Sequence, residues 1–536
     1  MSLALAIIII DTTLLNVSLG TIIKDLHSNI QSLQWVITAY ALTLSALTIT
    51  GGRIGDLFGR KKMFIVGAAV FAAGSFTASI SHNIPTLLLG ESIIEGIGAA
   101  LMMPATASLL LASFRGRDRA IAFGVWGGIA AAASAIGPIL GGWLTTHYSW
   151  RWGFRINIVV AAILIIGSVL VKESRDEEEK PMLDVFGVFL SAIGLLGIVF
   201  GIIESSTYGW WSSKAVFMVG THAITFGSLS VVPPSMLIGC VFLAVFVWWQ
   251  HHLTKIGKTP LVSLSLFRNH QFVSGMMTTA VQSLGMTGLI FSLPVFFQSV
   301  RKLDAFHTGL TLLPMSLAVL VIAPVSVALG RKFIPKYVIL TGMFITTIGA
   351  WLLHNSIAIN ATIGSLAPAL IVYGIGMGLV MAQISNLTLS AVSVQQAGEA
   401  SGVNNTFRQM GTSFGSAIIG AILLTALGSN LVSGIQKSST IPTAIKPTII
   451  QSLAAQQSNI EFSSGAQFGG SISPAISQEI EHIAAVATTT ATRQSLVYTI
   501  FFSLAGFFVA FGLPAVKNLE REQKVTSEQI SPQANQ

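Results

Sequence analysis

The chain has 536 residues, of which 52% are hydrophobic and 9% charged, with a mean hydropathy of +0.74, whereas a soluble domain carries about 25% charged residues. That composition excludes a soluble globular fold, and apolar runs of helical length that lack the alternation of a barrel point to an all-α membrane protein. The net charge of +8 does not call for nucleic acid, because it follows topology; the single cysteine, Cys240, excludes an internal disulfide and a cysteine-based metal centre.

Spans are expected at 3–22, 33–51, 63–80, 86–112, 120–143, 154–171, 183–204, 234–251, 272–298, 307–329, 337–354, 363–388, 400–427 and 495–515, fourteen in all. The first lacks the basic start and small-residue cleavage site of a signal peptide, so it is read as a mature span. With both termini on the cytoplasmic side of a plasma or inner membrane, inner loops and tail hold 20 of the 29 Lys and Arg, which obeys the positive-inside rule.

In the first span, "ALAIIIIDTTLLNVSLG" sets Asp11 within a run of Ile and Leu. A carboxylate at a helix centre costs about 2.5–3.5 kcal/mol on insertion scales, so it is expected to face a cavity or a partner. Ser18 shares its face, and Thr12 and Asn16 form a neighbouring polar stripe. That side of the helix is expected to line a water-filled central passage. Burial favours the neutral form of a carboxyl group, the chemistry of a proton carrier; a permanently paired, structural Asp is the competing reading.

Between spans two and three, "GGRIGDLFGRKK" (51–62) reads as an inner gating loop. Gly52, Gly55 and Gly59 permit a tight turn and close helix approach. Asp56 is suited to accept from arginines or a helix N-terminus, with Arg53, Arg60 and Lys61 beside it. In span four, Glu91 and Glu95 are four residues apart on one face and disfavour joint ionisation. Glu91 lies nearer the outer end, where simple hydration competes with a transport role. Span five, "GVWGGIAAAASAIGPILGG" (124–142), is a run of small residues suited to backbone-close packing. Within it, Gly137, Pro138, Gly141 and Gly142 mark a bend, since proline breaks a helical hydrogen bond.

Further along, 172–181 is a charged inner linker, 205–234 a long outer connection with an apolar middle, and 429–490 the largest outer loop, suited to short amphipathic helices. Sliding the chain by 278 positions lays Gly52-Arg53 on Gly330-Arg331, "GIGAALMM" (96–103) on "GIGMGLVM" (374–381), and Pro138 on Ser416. Two parallel six-span halves with a site between them near the midplane follow from such a repeat. The expected division is a first bundle at 1–172, two inserted helices with linkers at 173–270, a second bundle at 271–516 and a cytoplasmic tail at 517–536.

Other signals carry less. "GKT" at 257–259 lacks the glycine of a phosphate loop, His252 standing in its place. The histidines show no zinc-ligand spacing, and the Trp pairs 210–211 and 248–249 suit span ends. The 15 methionines read as packing. No nucleophile–base or metal constellation is present, so no enzyme and no cofactor is expected.

"DTTLLNVSLG", "GGRIGDLFGRKK", "GPILGG", "SWRWGFRIN" (149–157) and "GEASGVNNTFRQMG" (398–411) resemble the fourteen-span drug:proton antiporters of the major facilitator superfamily, from the first span to the last. The resemblance implies a major facilitator fold of 6+2+6 helices, with Asp11 a proton and cation site, Asp56 and Arg60 a gating pair, and Gly137-Pro138 a bend that limits leakage. Three positions depart from the pattern. Ser92 stands where the family has an arginine, with Glu95 at a usual glutamine; Ala133 replaces a glycine; and Arg155 replaces an apolar residue, which makes it a substitute for the missing charge or a side chain that snorkels outward. The function expected is proton-coupled multidrug efflux by alternating access, in a monomer whose partners are small molecules, protons and the lipid bilayer. The alternatives are a major-facilitator transporter for one dedicated metabolite and a non-transporting membrane sensor.

Overall fold

The computed structural model describes residues 1–113, 129, 132–133, 136–173, 184–219, 222–258, 260–392, 397–455 and 474–515. The chain is almost wholly helical. The first half contains α1 (Ser2–Asp25), α2 (Ile30–Phe58) and α3 (Arg60–Ser79), and then one long rod formed by α4 (Ile84–Leu87), a π-helical stretch (Leu88–Glu95) and α5 (Gly96–Ser113). It closes with α6 (136–147) and α7 (Arg151–Gly167). Next come α8 (Val185–Tyr208) and α9 (Val232–Lys255), followed by α10 (His270–Ser299), α11 (Ala305–Lys332), α12 (Pro335–Ser356), α13 (Ile363–Ser390), α14 (Ala397–Lys437), α15 (Lys446–Ala455) and α16 (Pro474–Ala510). Among the described residues, 13 helices are long and apolar enough to cross a membrane. The expected fifth span lies largely outside the described residues, its later part being α6.

Short polar residues start many of these helices at the places where the chain turns between spans. Asn29, Asn83, Asp184 and Asp304 each accept a hydrogen bond from a backbone N–H of the first turn, at 2.7–2.9 Å, satisfying donors that lipid would leave bare. The side of the molecule that bears Met1 is its near side, and the opposite one its far side.

The repeat inferred from the sequence has a direct physical mark. The backbone N–H of Gly20 in α1 donates to Gln298 Oε1 in α10 at 2.9 Å, and the two residues are 278 positions apart. A residue that touches its own repeat equivalent lies on the axis relating the repeats. Positions 138 and 416 behave alike: Pro138 packs its carbonyl against Gly309 of α11, while Ser416 bonds Thr38 of α2 at 2.7 Å. Each thus meets the second helix of the opposite half.

Two expectations need correction. The segment 51–62 is not a loop: α2 continues to Phe58 and only Gly59, at φ +104°, separates it from α3. The segment 429–490 is not loop throughout, because α14 runs for 41 residues and α16 for 37, and 41 residues at about 1.5 Å each reach about 60 Å, twice the ~30 Å hydrocarbon core. Their apolar stripes do not stop at the span ends: Leu427, Leu431, Ile435, Ile480, Ile483 and Ala487 are buried in one cluster with Leu19, Ile22 and Ile30 of the first half, and that burial keeps the helices wound beyond the membrane. The connection after α8 forms a two-stranded hairpin, β1 (Phe217–Val219) with β2 (His222–Ile224), and Met218, Ile224, Trp210 and Trp211 of this connection are exposed.

Candidate functional site

Asp11 is 1% exposed, and Glu91 and Glu95 are wholly buried. The three belong to the first half, Asp11 on α1 and the glutamates on the π-helical stretch. One oxygen from each carboxyl group lies within 4.8 Å of the others. The wider winding of the π stretch brings residues four apart almost into line, so both glutamates point the same way; such bulges occur mostly at functional sites. Glycine makes the close approach possible: a Cβ on Gly74 of α3 would collide with the Glu95 backbone.

One amide ties the group together. Asn157 of α7 donates through Nδ2 to Asp11 Oδ1 at 2.7 Å and to Glu95 Oε1 at 3.1 Å. Among the described residues, Asp11 Oδ2, both Glu91 oxygens and Glu95 Oε2 meet only one another and the Ser75 hydroxyl, and the buried hydroxyl of Tyr40 on α2 has no hydrogen-bond partner. Among the described residues no ion pair reaches any of the three carboxyl groups. Buried charge without compensation costs several kcal/mol per group, so the triad must hold protons or gather a cation.

The structure brings some expected site residues here and sends others elsewhere. Glu91 is not hydrated at a span end; it is as buried as Glu95. Ser92, at the usual arginine position, turns away and donates to the Val36 carbonyl at 2.7 Å. Arg155 does not replace that arginine: it is exposed and its guanidinium lies 5.1 Å over the Trp152 ring. Asp11 does not line the small cavity between the halves, which is lined on α1 by Thr13, Asn16 and Val17 and across from them by Met286, Met315 and Met377 among other residues. Asn16 itself donates to the Thr12 carbonyl at 2.7 Å, and Ser18 bonds Thr145 of α6 at 2.6 Å. Helix α1 therefore separates the acid triad from the cavity, with one face toward each.

Sequence reasoning missed Asn157, Tyr40 and the methionine lining. The first two sit on other helices at unremarkable spacing. The third is partly visible as an abundance of Met, since flexible, polarisable side chains suit surfaces that must fit varied shapes.

The bend and gating residues have different surroundings. Gly137 and Gly141 of α6 lie against Thr13 and Leu14 of α1, and Gly142 against Ala305 and Phe306 of α11, so these positions join α1 to α6 and the first half to the second. Gly52, Arg53, Gly55 and Asp56 lie within the last turns of α2, and Arg60 and Lys61 begin α3; the Asp56 side chain lies outside the described residues. Glu173 accepts hydrogen bonds at the α3 N-terminus from the backbone N–H of Lys61 at 2.9 Å and of Lys62 at 3.2 Å, a favourable place for a carboxylate at a helix start.

The family described as Major Facilitator Superfamily matches residues 1–416. The chain is 27% identical over 420 residues to the tetracenomycin C resistance and export protein of Streptomyces glaucescens, covering 78% of this chain and 74% of that one. It is 28% identical over 433 residues to the multidrug efflux pump LfrA of Mycolicibacterium smegmatis, covering 80% and 81%. In fold it is similar to a bacterial homolog of the human lysosomal transporter Spinster, inward-facing and occupied, with TM-score 0.59 and 14% identity over 95% of this chain and 94% of that one. With the repeat axis, the cavity between the halves and these likenesses in view, the chain belongs to the major facilitator superfamily and is a multi-pass membrane transporter, not an enzyme.

Proposed function

We propose that the protein exports amphipathic or cationic small molecules in exchange for protons by alternating access, with its near side cytoplasmic. The observation that carries this reading is the arrangement about α1: a buried carboxyl triad on one face and a largely apolar cavity on the other. Protons taken up or lost by the triad alter the charge packed against α1, and α1 passes the change to the cavity wall one turn away at Thr13 and Asn16. Each charge that moves down the membrane potential supplies about 2.3 kcal/mol per 100 mV, enough to drive export uphill when coupled. Relatives named for antibiotic export and multidrug efflux favour the same reading.

The cavity's character favours broad efflux over a dedicated metabolite. Val17, Ile290, Leu312, Val319 and three methionines outnumber the polar Thr13, Asn16 and Ser316, whereas a hydrophilic metabolite calls for convergent polar groups.

The test is uptake of a lipophilic cation into everted vesicles energised by a pH gradient. Asp11→Asn, Glu91→Gln and Glu95→Gln are each expected to lower gradient-driven uptake at least about tenfold, the scale on which a lost proton-transfer group acts, while substrate binding to the purified proteins stays within a few-fold. Full gradient-driven uptake in all three variants would sink the coupling assignment.

A further inference from the structure

We infer that the cluster of Asp11, Glu91, Glu95 and Tyr40 is a binding site for a hard metal cation of sodium or calcium size. The inference rests on the reading that the triad is the charge-handling centre of the transporter; it adds that a metal ion is a second source of the positive charge the triad needs.

The geometry suits such an ion. Hard cations of this size sit about 2.3–2.6 Å from their oxygen ligands, so two ligands of one ion are separated by up to about 5 Å; the three carboxyl groups each offer an oxygen within 4.8 Å of the others. Asn157 donates to Asp11 Oδ1 and Glu95 Oε1, and among the described residues the remaining carboxyl oxygens meet only one another and the Ser75 hydroxyl, with no cationic partner. The amide thus works as an outer partner that orients the ligands.

Tyr40 is the independent sign of a ligand. It is 1% exposed, and its hydroxyl has no partner among the described residues. It lies on α2 between Val36, which accepts from Ser92, and Thr43, which packs on Gly96; Ser92 and Gly96 are the neighbours in sequence of Glu91 and Glu95. Buried hydroxyls are normally bonded, and a cation among the carboxylates would supply what this one lacks. The donor set is all oxygen, which suits alkali and alkaline-earth ions rather than zinc or copper.

Equilibrium dialysis of the purified full-length protein at pH 8 against radioactive sodium or calcium, in a choline background, tests the site. A single saturable site for one of the two ions is expected. Asp11→Asn, Glu95→Gln and the isosteric Tyr40→Phe are each expected to weaken it about tenfold or more. Glu204→Gln, which removes a half-buried carboxylate bonded instead to Gln31 and Trp35, is expected to leave it unchanged. No saturable binding of either ion to the parent protein, undiminished binding in Asp11→Asn, or an equal loss in Glu204→Gln would each overturn the inference. Transport of a lipophilic cation, measured on the same preparations in proteoliposomes, separates the two readings: proton-driven transport without metal binding removes the metal site alone, and metal binding without transport removes efflux and leaves the site.

Discussion

At the scale of single residues, the fully buried carboxyl groups among the described residues lie in one half. Under the repeat offset, Asp11, Glu91 and Glu95 correspond to Leu289, Ala369 and Tyr373, all buried. The second half therefore buries uncharged residues where the first buries acids. Asn157 holds two of the three carboxyl groups, and a hydrogen bond to a charged group contributes about 1.5–3 kcal/mol. Asn157→Leu is expected to lower the thermal unfolding midpoint measurably and to abolish gradient-driven uptake, while Asn157→Gln retains part of both; an unchanged midpoint together with unchanged uptake in Asn157→Leu would contradict its positioning role. The acids were legible in the sequence because a carboxylate in an apolar run is expensive enough to need a reason. Asn157 and Tyr40 were not, because a polar residue near a span end and a tyrosine in an apolar helix are ordinary until the fold brings them to Asp11. The direction in which Asp11 faces was also beyond reach: periodicity gives neighbours on a helix face but not what that face meets.

At the scale of elements, close approach decides which helices form the joints. A Cβ on Gly142 would lie 2.8 Å from Phe306 Cα, closer than real side chains approach, so Gly142→Val should force α6 from α11 and lower uptake at least about tenfold while the acid triad stays intact, a loss of the size a misplacement of about 1 Å causes. Uptake at the parent rate would show that this joint is not part of the cycle. Gly59 needs glycine for a different reason: its φ of +104° suits no other residue, and its neighbour is the Glu173 carboxylate. Gly59→Ala is expected to cost about 1–3 kcal/mol, read as a lower unfolding midpoint. Span positions were legible to within a few residues at many helices, since hydropathy fixes where a helix enters lipid. The far-side extension of α14 and α16 was not, because Ser, Gln and Ala in 429–490 hide a sparse apolar stripe that matters only once Leu19, Ile22 and Ile30 are there to cover it.

At the scale of the whole molecule, the two halves are fastened on the far side. Gln298 bridges α1 and α10, Gln34 donates to the carbonyls of Ser416 and Ala417, and the overhanging ends of α14 and α16 share a core with α1 and α2. The proposed alternating access requires that this face part. In a Cys240→Ser background, Thr38→Cys with Ser416→Cys replaces a side-chain pair 2.7 Å apart; oxidation is expected to consume both thiols and reduce transport to background, with recovery on reduction. Undiminished transport by the cross-linked protein would mean that the far side need not open there. The central claim, that solute in the cavity and protons on the triad communicate through α1, is tested most directly by adding a lipophilic cation to the detergent-solubilised protein in weak buffer and following pH. The account predicts proton release by the parent and none by the combined Asp11→Asn, Glu91→Gln and Glu95→Gln variant that still binds the cation. Equal release by both would contradict it.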